Sequence, residues 1–205
     1  MISVDMVYQD AACEVHKTVV GPFENNVYVI RCRQSGQAIL IDAADEHEHL
    51  LELSRRLGVT SVVETHGHFD HIQAVPAFRE AGLEVAIAPE DAAMLASYDL
   101  TLDDDVAIRV GQLEIRTIAN PGHTPGSMSF AVIGTPLLFS GDTLFPGGPG
   151  TTKLEGGDFP TIIRSIDERL FGAFEDDTIV LPGHGAATTI GTERPSLEEW
   201  VARGW

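Results

Sequence analysis

The sequence predicts an α+β domain in which two β-sheets pack face to face with helices on the outside. Three observations carry this expectation. Short runs rich in Val and Ile recur ten times along the chain, and their length and β-branched content read as strands. Hairpin-like spacing opens the chain, strand–helix alternation follows, and further hairpins come after it. Ten strands exceed what one small open sheet flanked by helices takes up, whereas two layers of sheet accommodate them. At 205 residues the chain has the length of one domain. The Gly-Gly-Pro-Gly stretch at 147–150 is too short to be a linker, so residues 1–205 read as a single unit.

In order, the strands are expected at 14–20, 27–32, 38–42, 59–65, 85–88, 107–110, 113–118, 128–133, 137–140 and 178–181. Helices are expected at 46–57, 71–81, 90–96, 161–170 and 196–202. In the first of these, Leu50, Leu53 and Leu57 recur three and four apart and mark one buried face. Gly58 then ends it, as a residue in the left-handed region would.

Thirteen basic against thirty-one acidic side chains leave a formal charge of −18. Such a surface repels polyanions, so nucleic acid is not an expected partner, and anionic membrane surfaces are disfavoured for the same reason. No apolar run approaches the roughly 18–20 residues that span a bilayer. Residues 1–10 carry two acids, no base and no continuous apolar stretch, unlike a secretory signal. Cys13 and Cys32 are too few for a disulfide framework and lack metal-type spacing. A reducing cytoplasm is the expected location.

The chemistry is concentrated in the histidines. Three of the eight fall in Thr65-His66-Gly67-His68-Phe69-Asp70-His71, between a strand and a helix that begins near His71. His66 and His68 are two apart in extended chain and project to one side. Asp70 and His71 open the helix, and Gly67 permits the tight backbone that crowded ligands need. His123, in Pro121-Gly122-His123-Thr124, Asp142, in Ser140-Gly141-Asp142, and His184, in Pro182-Gly183-His184-Gly185, each follow a strand and stand beside a glycine. A rigid sandwich can deliver such loops to a common edge. Five histidines and two aspartates suit divalent ions that favour nitrogen and oxygen: zinc first, with iron and manganese as alternatives. Seven ligands are too many for one tetrahedral ion and divide between two if one carboxylate bridges. His47 and His49 read as solvated, and His16 as a strand-face residue.

These motifs resemble those of the metallo-β-lactamase superfamily, and within it the glyoxalase II-like hydrolases related to hydroxyacylglutathione hydrolase. The matching residues are His66-Gly67-His68-Phe69-Asp70-His71, Gly122-His123-Thr124 with Gly126-Ser127, Gly141-Asp142 and Gly183-His184-Gly185, spread from about Val19 to His184. The resemblance implies a four-layer αββα sandwich of the metallo-β-lactamase type with a two-metal site at one edge. It implies that His66, His68 and His123 hold one ion, that Asp70, His71 and His184 hold the other, and that Asp142 bridges them. A water or hydroxide shared by the ions would be the nucleophile. Asp70, besides its place as a ligand, would also orient it, and is the one side chain given a catalytic role. Asp42, closing the strand at 38–42, matches an acidic position that braces the metal loop, with a plain strand-end turn as the equal alternative.

Two departures bear on the substrate. Hydroxyacylglutathione hydrolase carries a helical C-terminal extension that binds the tripeptide, whereas twenty-one residues follow His184 here. Many short relatives, and the persulfide dioxygenases, follow the Gly-Asp pair with Gly-Arg-Thr-Asp. Here Thr151 and Lys153 replace the Arg and the Asp. Lys153 reads as a solvated loop lysine, and Trp200 and Trp205 as packing residues. The expected activity is therefore dinuclear metal-dependent hydrolysis of a small acyl thioester or ester, possible carriers including low-molecular-weight thiols, by a monomer or homodimer. The alternative on the same motifs is a mononuclear iron persulfide dioxygenase.

Overall fold

In the computed structural model, which describes residues 2–204, the strands form two main sheets and each sheet is drawn from its own stretch of chain. The first sheet has seven strands in sequence order: β1 (Val4–Gln9), β2 (Cys13–Val20), β3 (Asn25–Cys32), β4 (Ala38–Ile41), β5 (Val59–Val63), β6 (Glu84–Ile87) and β7 (Leu100–Thr101). Hairpins make β1 to β4 antiparallel, and crossovers make β4 to β7 parallel. The second sheet begins with β8 (Ala107–Val110), β9 (Leu113–Ala119), β10 (Met128–Val132) and β11 (Leu137–Gly141). A two-stranded ribbon of β12 (Leu144–Phe145) and β13 (Gly148–Pro149) interrupts it, and β14 (Ile179–Pro182) and β15 (Thr188–Thr189) complete it in the order β15-β14-β11-β10-β9-β8.

The side-chain alternation of the strands sorts the apolar residues into three slabs. Val15, Ile30, Ile39, Ile41 and Val63 of the first sheet meet Ile115, Phe130, Phe139 and Leu181 of the second in the central slab. Their neighbours Val29, Leu40, Val62 and Val85 point the other way, against Leu50, Leu53 and Leu57 of α1 (His47–Leu57) and against Val75 and Phe78. Behind the second sheet, Ala131, Leu138 and Val180 pack on Ile162, Ile166, Leu170, Ile190 and Trp200. The result is the expected αββα sandwich. Among the described residues no helix is long and apolar enough to cross a membrane.

Several elements differ from expectation. The helix read at 71–81 is two pieces, α2 (Phe69–Ile72) and α3 (Val75–Glu80), and Pro76 stands in the first turn of the second because it cannot donate in a helix interior. The 90–96 stretch is only a 3₁₀ turn at Ala92–Met94. The 161–170 helix starts earlier, as α4 (Phe159–Ser165) capped by Asp158, and continues as a π turn at Ile166–Phe171. The chain then forms α5 (Ile190–Glu193) and α6 (Leu197–Arg203). Trp200 is buried against Phe171 in the outer slab, away from the histidines, and Trp205 lies outside the described residues.

Candidate metal centre

Topology brings the histidine loops to one edge. β9 and β11 are both antiparallel to β10, and β14 is parallel to β11, so the C-terminal ends of β9, β11 and β14 lie at the same end of the second sheet. His123, Asp142 and His184 follow those three ends. The loop after β5 joins them from the first sheet, as Met128 N–H donates to the Thr65 carbonyl at 2.8 Å and Asn26 N–H to the Gly183 carbonyl at 2.7 Å.

The seven predicted side chains converge in overlapping trios. Ligand-type atoms of His66, His68 and His123 lie within 4.8 Å of one another, as do those of His66, His71 and Asp142, and those of Asp70, His71 and His184. His68 Nδ1 is 2.9 Å from His123 Nε2, and His71 Nε2 is 3.2 Å from His184 Nε2. The Asp142 carboxylate faces both groups, with Oδ2 3.6 Å from His123 Nε2 and 3.5 Å from His184 Nε2, and Oδ1 3.6 Å from His71 Nε2.

Outer partners aim four of the five rings. Asp42 Oδ2 takes His71 Nδ1 at 2.9 Å, the Thr151 carbonyl takes His123 Nδ1 at 2.7 Å, and the Phe23 carbonyl takes His184 Nδ1 at 2.9 Å. Thr65 donates its hydroxyl to Asp42 Oδ2 and so accepts from His66 Nδ1 at 3.0 Å. With the outer nitrogen carrying one proton, the inner Nε2 of each ring in its neutral form presents a lone pair. Lone pairs facing each other near 3 Å repel unless a proton or cation stands between them. His66 Nε2 and Asp142 Oδ1 are buried and have no hydrogen-bond partner among the described residues. Two orphaned acceptors in a nest of imidazole nitrogens and carboxylates fit divalent cations.

The electrostatics agree. Burial, reinforced by the neighbouring imidazoles, holds His66 well below the ordinary imidazole range, and His68 is lowered for the same reasons. Burial would raise the Asp142 carboxyl, yet His71 and His184 outweigh it and keep it well below the carboxylate range. Asp70 falls to about 2 in spite of burial, through His184, His71 and the Asn25 amide. Burial would lower His184, but hydrogen bonds to Asp142 and Asp70 push it up to about 10, and His71 is raised by Asp142 and Asp42 against the same burial. The acids of the cluster thus hold positive charge in place.

Three anchors, Asp91, Asn25 and Glu64, escaped the sequence reading. Asp91 is fully buried and accepts from Gly67 N–H at 2.9 Å, Thr124 Oγ1–H at 2.7 Å and Gly126 N–H at 2.8 Å, tying the His66–His68 loop to the His123 loop. An acid beside Pro89 and Glu90 read as the start of a helix, which hid it. Asn25 donates to Asp70 Oδ2 at 2.9 Å. Asp42, expected at a strand end, follows β4 at φ 64° and accepts from Thr65 N–H at 2.6 Å while holding His71. Glu64, also buried, accepts from Ala43 N–H, and burial beside Asp42 pushes its carboxyl well up. Lys153 is exposed, as expected of a solvated lysine. His47 is exposed and His16 sits on a strand face, but His49 is half-buried with Nε2 3.1 Å from the Thr18 hydroxyl, so it is not free in solvent.

Comparison with known proteins matches this arrangement to one class. The sequence pattern of the metallo-beta-lactamase superfamily fits residues 20–184, and the chain belongs to that superfamily, whose members are generally metal-dependent hydrolases. It is 33% identical over 199 residues to the hydroxyacylglutathione hydrolase GloC of Haemophilus influenzae, covering 86% of this chain and 93% of that one. To the human mitochondrial persulfide dioxygenase ETHE1 it is 32% identical over 195 residues, 85% of this chain and 73% of that one. The crystal structure of the BLEG-1 B3 metallo-beta-lactamase superposes with a TM-score of 0.81 at 30% identity, over 88% of this chain and 96% of that one.

Proposed function

We propose that this protein is a metal-dependent hydrolase of a small acyl thioester or ester, and that its seven clustered side chains hold two divalent ions, zinc by preference of the donor set. His66, His68 and His123 take one ion, Asp70, His71 and His184 the other, and Asp142 stands between them. The observation that carries this reading is the position of Asp142, whose oxygens lie 3.5–3.6 Å from nitrogens of both groups. When bound, two such ions lower the pKa of a water they share and polarise the carbonyl under attack.

The chain's own residues do the rest. Asp70, anionic and steadied by Asn25, is placed to accept a hydrogen bond from the attacking water and fix its direction. Asp42, Thr65 and the carbonyls of Thr151 and Phe23 keep the imidazoles in one tautomer and one orientation. The Thr151 carbonyl thus serves His123, while the Thr151 side chain is exposed at the loop where relatives place an Arg.

The test is metal removal. Exhaustive chelation should abolish acyl hydrolysis and lower the melting temperature, and both should return with metal. Activity that survives verified removal would end the proposal. Likeness to a persulfide dioxygenase favours one other reading, a single iron with oxygen consumption. Two ions per chain with acyl turnover support the hydrolase, whereas one iron with oxygen uptake on a persulfide supports the alternative.

A further inference from the structure

Of the chain's nine phenylalanines only Phe23 and Phe69 are exposed, at 51% and 61%, and they touch each other edge to face with centroids 5.3 Å apart. Both stand at the candidate metal centre. Phe69 lies between His68 and Asp70, and the Phe23 carbonyl holds His184. The hairpin tip carrying Phe23 is fastened by Asn25 to Asp70 and by Asn26 to the Pro182 and Gly185 carbonyls, so its ring is presented rather than loosely hung. From Phe69 a groove of about 260 Å³ runs outward between Ile72, Val75, Pro76 and Met94, with Gln73 its one polar lining side chain. Met94 lies flat on the ligand loop because Gly67 has no side chain: a Cβ there would meet Met94 Cβ at 2.7 Å and Sδ at 2.8 Å.

The groove has no charged lining side chain on a chain with thirty-one acids, and it begins at Phe69, which adjoins His68 and Asp70 in the chain. We propose that Phe23, Phe69 and Met94 form a subsite for the apolar acyl chain of the substrate, so that the enzyme prefers acyl groups of about six to eight carbons, the length that fills about eight or nine water volumes of ~30 Å³. This subsite rests on the hydrolase reading above. Its occupant must be apolar and joined to the reacting carbonyl, and the acyl chain is the part of a thioester that meets both demands. Met94 adds an adaptable wall suited to chains of differing length.

The experiment is a series of thioesters of one uncharged thiol, acetyl to decanoyl, given to the metal-loaded enzyme. A fully buried methylene is worth about fourfold and a half-wet one about twofold, so six added methylenes should raise kcat/KM about 50-fold. The rise should stop near octanoyl. Phe69→Asp and Met94→Asp should flatten it. Calorimetry with the non-hydrolysable octyl thioether of the same thiol, which has a methylene in place of the carbonyl, supplies a reading independent of turnover: binding with a negative heat-capacity change, lost in both variants. A wild-type series that varies less than about threefold while turning over would overturn the subsite. Absence of turnover on every member would strike the hydrolase reading, and the thioether would still judge the subsite. Sedimentation showing a dimer that Met94→Asp dissociates, without effect on chain-length preference, would give the groove to a second copy and overturn the proposal.

Discussion

Replacing Asp91 with Asn changes one atom type at a position that no ligand occupies. The carboxylate is fully buried and accepts three hydrogen bonds, two on Oδ2 from Gly67 N–H and Thr124 Oγ1–H and one on Oδ1 from Gly126 N–H. The amide keeps one oxygen, which can serve Gly67 and Thr124. Its NH₂ then faces the Gly126 N–H, donor against donor. One buried N–H loses its acceptor and the amide gains protons with nowhere to go, at about 1–3 kcal/mol for each unsatisfied group. The two surviving bonds also lose their charge assistance, while the cost of burying a carboxylate is relieved. A net loss of about 3 kcal/mol follows, which at about 2–4 °C per kcal/mol for a chain of this size is a fall of about 6–12 °C. Gly67 sits between His66 and His68, and Thr124 follows His123, so metal affinity at that trio should fall about 10–100-fold. Circular dichroism melts of metal-free protein, with metal titrations beside them, measure both. A variant that melts within about 1 °C of the parent and binds metal equally well would refute the reasoning.

Asp70→Asn, assayed with saturating metal and its metal content counted, should lower kcat at least about a hundredfold with little change in KM, because the amide donates where the carboxylate accepted. A full complement of metal with near-normal kcat would remove Asp70 from both duties. Gly183→Ala should expel metal while sparing most of the fold, since a Cβ would stand 2.3 Å from Asp142 Oδ1 and 2.9 Å from His71 Cε1, and metal counting beside a melt separates the two effects. In metal-free protein His184, at about 10, carries a proton at pH 8, so metal uptake should release it and apparent affinity should fall as pH falls. Calorimetry in two buffers of different protonation enthalpy reads that proton. In the absence of metal the same raised pKa stabilises the fold fully below about 6.5, with the contribution lost as pH rises through about 10.

Among the strands expected from the sequence, those covered on both faces have the most continuous apolar runs, whereas the half-exposed β8 reads from its β-branched residues. Ala38–Ile41 and Met128–Val132 are buried at every position, so their apolar runs are unbroken. β1 was invisible because its edge position leaves Met6 and Val7 in solvent and its pattern without a buried face. The two-residue strands β7, β12, β13 and β15 are too short to carry a period. At the site, the seven convergent residues were legible because five are histidines and the two aspartates stand beside them or beside a glycine at a strand end. Asp91, Asn25 and Glu64 were not. Acids and amides are common in loops, and what distinguishes these three is burial against a neighbour far along the chain.

Each main sheet is built from a contiguous stretch, the first ending at Thr101 and the second beginning at Ala107. His66, His68, Asp70 and His71 belong to the earlier stretch, whereas His123, Asp142 and His184 belong to the later one. Each trio therefore draws members from both stretches, and none is complete without the second sheet. A metal held by these trios would tie the two sheets to each other, so that its binding would report on their docking as well as on the loops.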